Sequence, residues 1–240
     1  MEVADDTRVV GLVSRAGCAV VLGATWAIGY FTIGGRTHPT PCFDPSTPVD
    51  TWIPFVGWAV WPYLLGIAGI VLPVGVIRLS SLFIRTAVGY AFVITASFLS
   101  FVLLPTNAAG LRQHASTVGL DPLTAWVIGL VYAIDPPTNL LPSLHVSLAT
   151  LAVLAISSAY PALRPWAYAS WLTLAASVCA VKQHSVVDAL SGALLARAAF
   201  ELAGLCTRIR RLSRPGTRAT ELKRGRAAHA VLRQIFGQAR

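Results

Sequence analysis

The chain has 240 residues, 55% of them hydrophobic and only 12% charged, with a mean hydropathy of +0.65. That balance excludes an ordinary soluble domain and implies an integral membrane protein. The net charge of +9 does not imply nucleic-acid binding, because ten of the nineteen Lys and Arg residues lie within Thr207 to Arg240. That stretch has Phe236 as its one aromatic residue and Glu221 as its one acid, so stacking partners for bases are missing. A basic flank after an apolar segment reads instead as a cytoplasmic tail, over residues 206–240, that orients the protein and touches anionic lipid.

In chain order, residues 1–15 read as a short cytoplasmic N-terminus. Ala16 to Ile33 is an uncharged run of 18 residues, just long enough to cross a hydrocarbon core of about 30 Å. No small-residue cleavage site follows it, so an uncleaved first membrane helix is expected rather than a signal peptide. Gly34 to Asp50 reads as a loop, and Trp52, Trp58, Trp61 and Tyr63 then form an interfacial belt opening a second helix that ends at Ile77. Arg78 and Arg85 bracket a cytoplasmic turn, and Thr86 to Leu104 returns as the third helix.

Pro105 to Pro122 is a polar extracytoplasmic loop carrying Arg112 and His114. Leu123 to Ile134 spans only 12 residues and is expected to be a re-entrant or interfacial helix. Asp135 to His145, DPPTNLLPSLH, is a proline-punctuated loop in which Asp135 and Asn139 serve turns and caps; it opens a fourth helix running to about Tyr160, with Pro142 in the first turn. Pro165 to Val181 and Ser185 to Leu205 complete the set, the last holding a structural Arg197–Glu201 pair. The expectation is an all-α polytopic domain of six membrane helices over residues 16–205. Cys18, Cys42, Cys179 and Cys206 have no metal-ligand spacing and imply no disulfide framework.

The parity of the crossings brings His145 and His184 to the same outer face. His184 and Asp188 stand four apart, so on a helix the carboxylate can engage one imidazole nitrogen and leave the other free to attack. Ionisable groups at this depth are functional by default. Together the residues suit phosphoryl transfer, which needs a nucleophile, an acid for the leaving oxygen and donors for the equatorial oxygens. His184 is the candidate nucleophile, Asp188 its partner and His145 the acid. The amides near Ser143 and Leu144, the Ser143 hydroxyl and the cation of Lys182 are candidate phosphate donors. His145, His184 and Asp188 make a poor metal set, lacking an obvious fourth ligand.

Pro142-Ser143-Leu144-His145 and Ser177-x6-His184-x3-Asp188 resemble the second and third motifs of the type 2 phosphatidic acid phosphatase superfamily, over roughly the second helix to residue 205. The resemblance implies a six-helix bundle, a phosphohistidine intermediate without metal or other cofactor, and a lipid-phosphate substrate met at the extracytoplasmic face. Three departures stand out. The first motif, a lysine followed seven residues later by Arg-Pro, is missing, with Arg112 its nearest substitute. Leu144 replaces the usual glycine, and Val178 stands where many members carry arginine. Phosphate clamping is therefore expected of Lys182 and Arg112. Ile53 to Phe55, the DPP-x-N-x-x-PSLH run and the KQH-x3-D run are similar to the branch that includes inositol phosphorylceramide synthases. The leading expectation is a lipid-phosphate phosphatase. A phosphotransferase using an alcohol such as inositol, and a non-catalytic anionic-lipid binder or transporter, are the alternatives. The Ala, Gly and Arg content points to a bacterial inner membrane, with both termini cytoplasmic.

Overall fold

The structure, a computed structural model, describes residues 9–35, 42–113, 115–135 and 137–212. His38, His114 and His229, and the basic tail beyond 212, lie outside the described residues. Ten α-helices are seen among those described: α1 (Leu12–Gly34), α2 (Pro48–Trp52), α3 (Val60–Gly69), α4 (Leu72–Val76), α5 (Ser80–Leu103), α6 (Ala109–Arg112), α7 (Pro122–Ile134), α8 (Leu144–Ala159), α9 (Arg164–Ala180) and α10 (Val186–Leu212). Four stretches are long and apolar enough to cross a membrane: Leu12–Gly34, Gly57–Val76, Ser80–Leu103 and Val186–Ile209. Their outward faces are apolar, with Val13, Leu65, Leu99 and Leu194 all exposed. That suits lipid, since water would penalise so much bare hydrocarbon.

α8 is the axis. Every residue from Leu144 to Ile156 is buried except His145, because α3, α5, α9 and α10 all pack against it. A helix apolar all round is stable only when enclosed in this way, and the enclosure accounts for a buried helix of only 16 residues. At α7 the expected short helix forms, with the Asp121 carboxylate accepting from the Thr124 amide at 3.0 Å. Asp121 is the N-cap, and Pro122 fits the first turn without an amide to satisfy.

Several expected boundaries shift for identifiable reasons. The first helix starts earlier, at Leu12, because Arg15 is usable inside it: its Nη1 donates to the carbonyls of Val74, Gly75 and Ile77 at 2.8, 3.1 and 3.0 Å. An arginine can answer the orphan carbonyls at a helix end. The second span is broken at Ile70 and Val71, with Pro73 in the first turn of α4. Arg85 belongs to α5 rather than to the turn, where it pairs with Glu201 at 2.9 Å and lies 3.7 Å over the Phe200 ring. Arg197 also reaches Glu201, at 2.8 Å, so the expected pair is one half of a bridge between α5 and α10. The fourth helix starts at Leu144, after Pro142, because Ser143 caps it. α10 runs on to Leu212.

Candidate active site

Three chain ends converge: the start of α8, the loop between α9 and α10, and the end of α7. α9 ends in a left-handed cap. Lys182 has φ +55°, its amide donates to the Cys179 carbonyl at 3.1 Å, and the Gln183 amide donates to Val178 at 3.0 Å. This pairing closes a helix C-terminus on a residue that is usually glycine. The lysine stays there because its amine donates to the carbonyls of Asp50 and Ile53 at 2.8 and 2.5 Å. Burial draws that amine below its usual pKa, with Asp50 opposing.

The next turn opens α10 with a reciprocal cap. The Ser185 amide donates to Asp188 Oδ2 at 2.9 Å, and the Asp188 amide donates to Ser185 Oγ at 3.2 Å. Asp50 adds an outside acceptor: its Oδ1 takes the Val186 amide at 2.8 Å, while Oδ2 takes the Thr47 amide and hydroxyl at 2.7 and 2.8 Å. The short α2 segment thereby fixes where His184 emerges.

His184 is 2% exposed and Asp188 0%. His184 Nδ1 lies 3.6 Å from Asp188 Oδ2, an ion-pair separation, and beyond hydrogen-bond length. His184 Nδ1 and Asp188 Oδ1 are buried atoms without a hydrogen-bond partner. The other ring nitrogen, expected from the sequence to be free, is engaged: His184 Nε2 is 3.0 Å from His145 Nδ1. The two rings meet edge to face with centroids 5.3 Å apart, because α8 and α10 approach closely at Gly192. A Cβ added there would stand 2.5 Å from the Ser143 carbonyl oxygen. The same approach lets the Ser143 amide donate to the Asp188 carbonyl at 3.0 Å.

Beyond His145 the polar line continues. His145 Nε2 is 3.3 Å from the Tyr63 hydroxyl and 3.9 Å from Asp135 Oδ2. Asp135 is held by the Tyr30 hydroxyl, donating to Oδ1 at 2.5 Å, and by Gln183 Nε2, donating to Oδ2 at 3.2 Å. Arg112 donates to Gln183 Oε1, to the Asp135 carbonyl at 2.7 Å and to the Tyr132 carbonyl at 3.4 Å, and packs 4.4 Å over the Tyr132 ring. Burial lowers its pKa, an effect that Asp135 opposes.

The structure thus brings together His184, Asp188 and His145, with Arg112 joined through Gln183. Ser143 is fully buried, and its hydroxyl oxygen caps α8 by accepting from the Val146 amide at 3.3 Å. Leu144 puts its side chain into the core, so its amide, one of the unsatisfied first-turn donors, is what it offers an anion. Lys182 points away from the histidines, toward the Asp50 carbonyl within α2 and the Ile53 carbonyl just after it. Tyr30, Tyr63, Asp50, Gly192 and the site contacts of Asp135 escaped the sequence reading. Asp135 alone carried a usable signal, a carboxylate at the end of an apolar segment.

A cavity of about 660 Å³ extends from this cluster into the bundle. Tyr30, Tyr63, Asp135 and His145 line its polar end. The remaining wall is mostly apolar, including Cys18, Leu22 and Trp26 of α1, Ile67 of α3, Phe83 of α5 and Leu130 of α7. From Tyr30 to Cys18 is twelve residues of α1, or about 18 Å of depth. Comparison of the chain with protein-family models and with curated proteins gives no match.

Proposed function

We propose that the chain is a membrane lipid-phosphate phosphatase of the type 2 phosphatidic acid phosphatase kind, working through a phosphohistidine on His184. The observation that carries this reading is a pair of hydrogen-bonded histidines, one backed by a buried carboxylate, at the polar end of a deep apolar cavity. A lipid tail fits the apolar length, and a phosphate is the group for which two facing imidazoles make chemical sense.

In this reading the phosphoryl group displaces the hydrogen bond between the two rings. His184 Nε2 attacks phosphorus as the bond to the lipid oxygen breaks, and His145 Nδ1 gives that oxygen its proton. Asp188 steadies the positive charge on the phosphorylated ring. First-turn amides of α8 at Leu144 and His145 hold equatorial oxygens, and Arg112, joined to the site through Gln183, supplies a guanidinium charge. Water, deprotonated by the now neutral His145, then cleaves the P–N bond. With the four long apolar stretches and α8 and α9 taken as six crossings, this reading has the site at the extracytoplasmic face of a bacterial inner membrane, with both termini and the basic tail in the cytoplasm beside anionic lipid.

One observation favours transfer over hydrolysis as a second reading. His184 and Asp188 are enclosed and the way in is apolar, so an alcohol held in the cavity can compete with water as acceptor. The test is phosphate release from phosphatidate, lysophosphatidate, sphingoid phosphate and polyprenyl phosphates, by wild type and His184→Ala, with a chelator present and with or without inositol. Chelator-resistant release lost in the variant supports the phosphatase. Suppression by inositol, with labelled phosphate appearing on it, supports the transferase. Binding of these lipids with no turnover would leave a lipid-binding protein.

A further inference from the structure

We propose that Asp135 is the positioning residue that stabilises the doubly protonated form in which the acid histidine acts, so that the site is a line of four groups, Asp188–His184–His145–Asp135. This rests on the phosphatase reading of the two histidines and adds a role that the motifs do not contain. The geometry is nearly symmetric. Each imidazole turns one nitrogen to the other ring, at 3.0 Å, and its second nitrogen to a carboxylate, at 3.6 Å for His184 and 3.9 Å for His145.

The chemistry requires the second carboxylate. For His184 Nε2 to attack, its lone pair must be free and the ring proton must sit on Nδ1, beside Asp188. His145 Nδ1 must then carry the proton that the leaving oxygen takes. A neutral imidazole that gave up its only proton would become an imidazolate, so His145 must also carry a proton on Nε2 when it acts. The group facing that Nε2–H is Asp135, and the Tyr63 hydroxyl, 3.3 Å away, can accept from it as well. After the first step His145 is neutral, with its proton on Nε2. In the second step Nδ1 takes a proton from the attacking water as the P–N bond breaks, restoring the doubly protonated ring. Asp135 exchanges no proton in either step.

The carboxylate is built for a fixed orientation. Tyr30 from α1 and Gln183 from the loop before α10 each donate to one of its oxygens, and Arg112 holds both its backbone carbonyl and the Gln183 side chain. The titratable groups around His145 are therefore His184 with Asp188 behind it, Tyr63 from α3, Asp135 with Tyr30 behind it, and Arg112 through Gln183. Asp135 is the one carboxylate among them that faces Nε2.

The test uses the full chain in detergent, comparing wild type with Asp135→Asn on an alkyl phosphate, dodecyl phosphate, and an aryl phosphate, 4-nitrophenyl phosphate. General acid help is worth about 100-fold or more to a poor leaving group and little to a good one. The expected result is a drop in kcat/KM of about 100-fold or more on dodecyl phosphate and under about tenfold on nitrophenyl phosphate. Equal losses on the two substrates would overturn the proposal. A second readout needs no turnover. Ring ¹⁵N shifts of His145, assigned with His145→Gln and recorded at neutral pH with inorganic phosphate, should report both nitrogens protonated in wild type and one in Asp135→Asn. The same shifts in both proteins would overturn the role of Asp135. His184→Ala that leaves turnover intact would defeat the underlying phosphatase reading instead, and the ring measurement keeps the two failures apart.

Discussion

Replacing Gly192 by alanine puts a methyl group 2.5 Å from the Ser143 carbonyl oxygen and 2.9 Å from Ser147 Oγ. A carbon and a carbonyl oxygen sit no closer than about 3.3 Å even in the tightest favourable contacts, so α10 must recede by about 0.8 Å. The obstacle cannot turn aside. The Ser143 carbonyl is fixed by the Ser147 amide at 2.9 Å and the Ser147 hydroxyl at 2.6 Å, and α8 is enclosed by α3, α4, α5, α9 and α10. The displaced helix carries Asp188, and with it the bond from the Ser143 amide and the 3.0 Å contact between the histidines. Overpacking of this kind costs about 1–3 kcal/mol, or a melting temperature lower by about 2–12 °C in a chain of this size. Misplacing reacting groups by about 1 Å costs about 100-fold in rate. Melting in detergent and phosphate release measured on the same preparation check both numbers. A Gly192→Ala protein that melts with wild type and releases phosphate within about threefold of it would refute the inference that this contact sets the histidine spacing.

Lys182→Met should lower stability by about 1–3 kcal/mol, since the carbonyls of Asp50 and Ile53 lose a buried donor, while leaving KM for lipid phosphate close to wild type. A large rise in KM would return Lys182 to the phosphate clamp. The folded state holds this amine with a lowered pKa, so it binds fewer protons there than the unfolded chain. Stability should therefore rise as pH climbs from the folded pKa to the unfolded one, and alkaline denaturation curves of Lys182→Met should lack that gain. A Cβ at Gly23 meets nothing within 4 Å and faces the cavity. Gly23→Phe should thus fold normally, and in a chain-length series it should lose turnover on long-chain lipid phosphates while keeping it on short ones. Arg112→Lys should fail to restore activity lost in Arg112→Ala, because an ammonium cannot reproduce the fork to Gln183 and Asp135 or the stacking on Tyr132.

What could be read from the sequence follows the range of the interactions involved. The long apolar stretches show as runs, and α7 shows as a run too short to cross, with Asp121 and Pro122 marking its start. The meeting of His145 and His184 was legible because two successive helices of nearly equal length, α8 and α9, return the chain to the level at which it left. The direction of Lys182 was not, since its backbone is left-handed and the carbonyls that hold its amine, in α2 and just after it, lie 129 to 132 residues away. Asp135 read as a turn residue because Tyr30 and Gln183, which orient its carboxylate, come from other elements. Arg15 hid the true start of α1, since a charge inside an apolar helix looks like a boundary until its three carbonyl partners are seen.

The most direct test of the proposed phosphohistidine mechanism is to find where the phosphoryl group goes. Wild-type protein mixed with ³²P-labelled lipid phosphate, quenched in alkali and mapped by peptide sequencing, should carry an acid-labile label on His184, absent from His184→Ala. A label on His145, which lines the cavity while His184 is enclosed, would contradict the assignment and exchange the roles of the two rings. No label on either histidine, with turnover intact, would remove the phosphohistidine altogether.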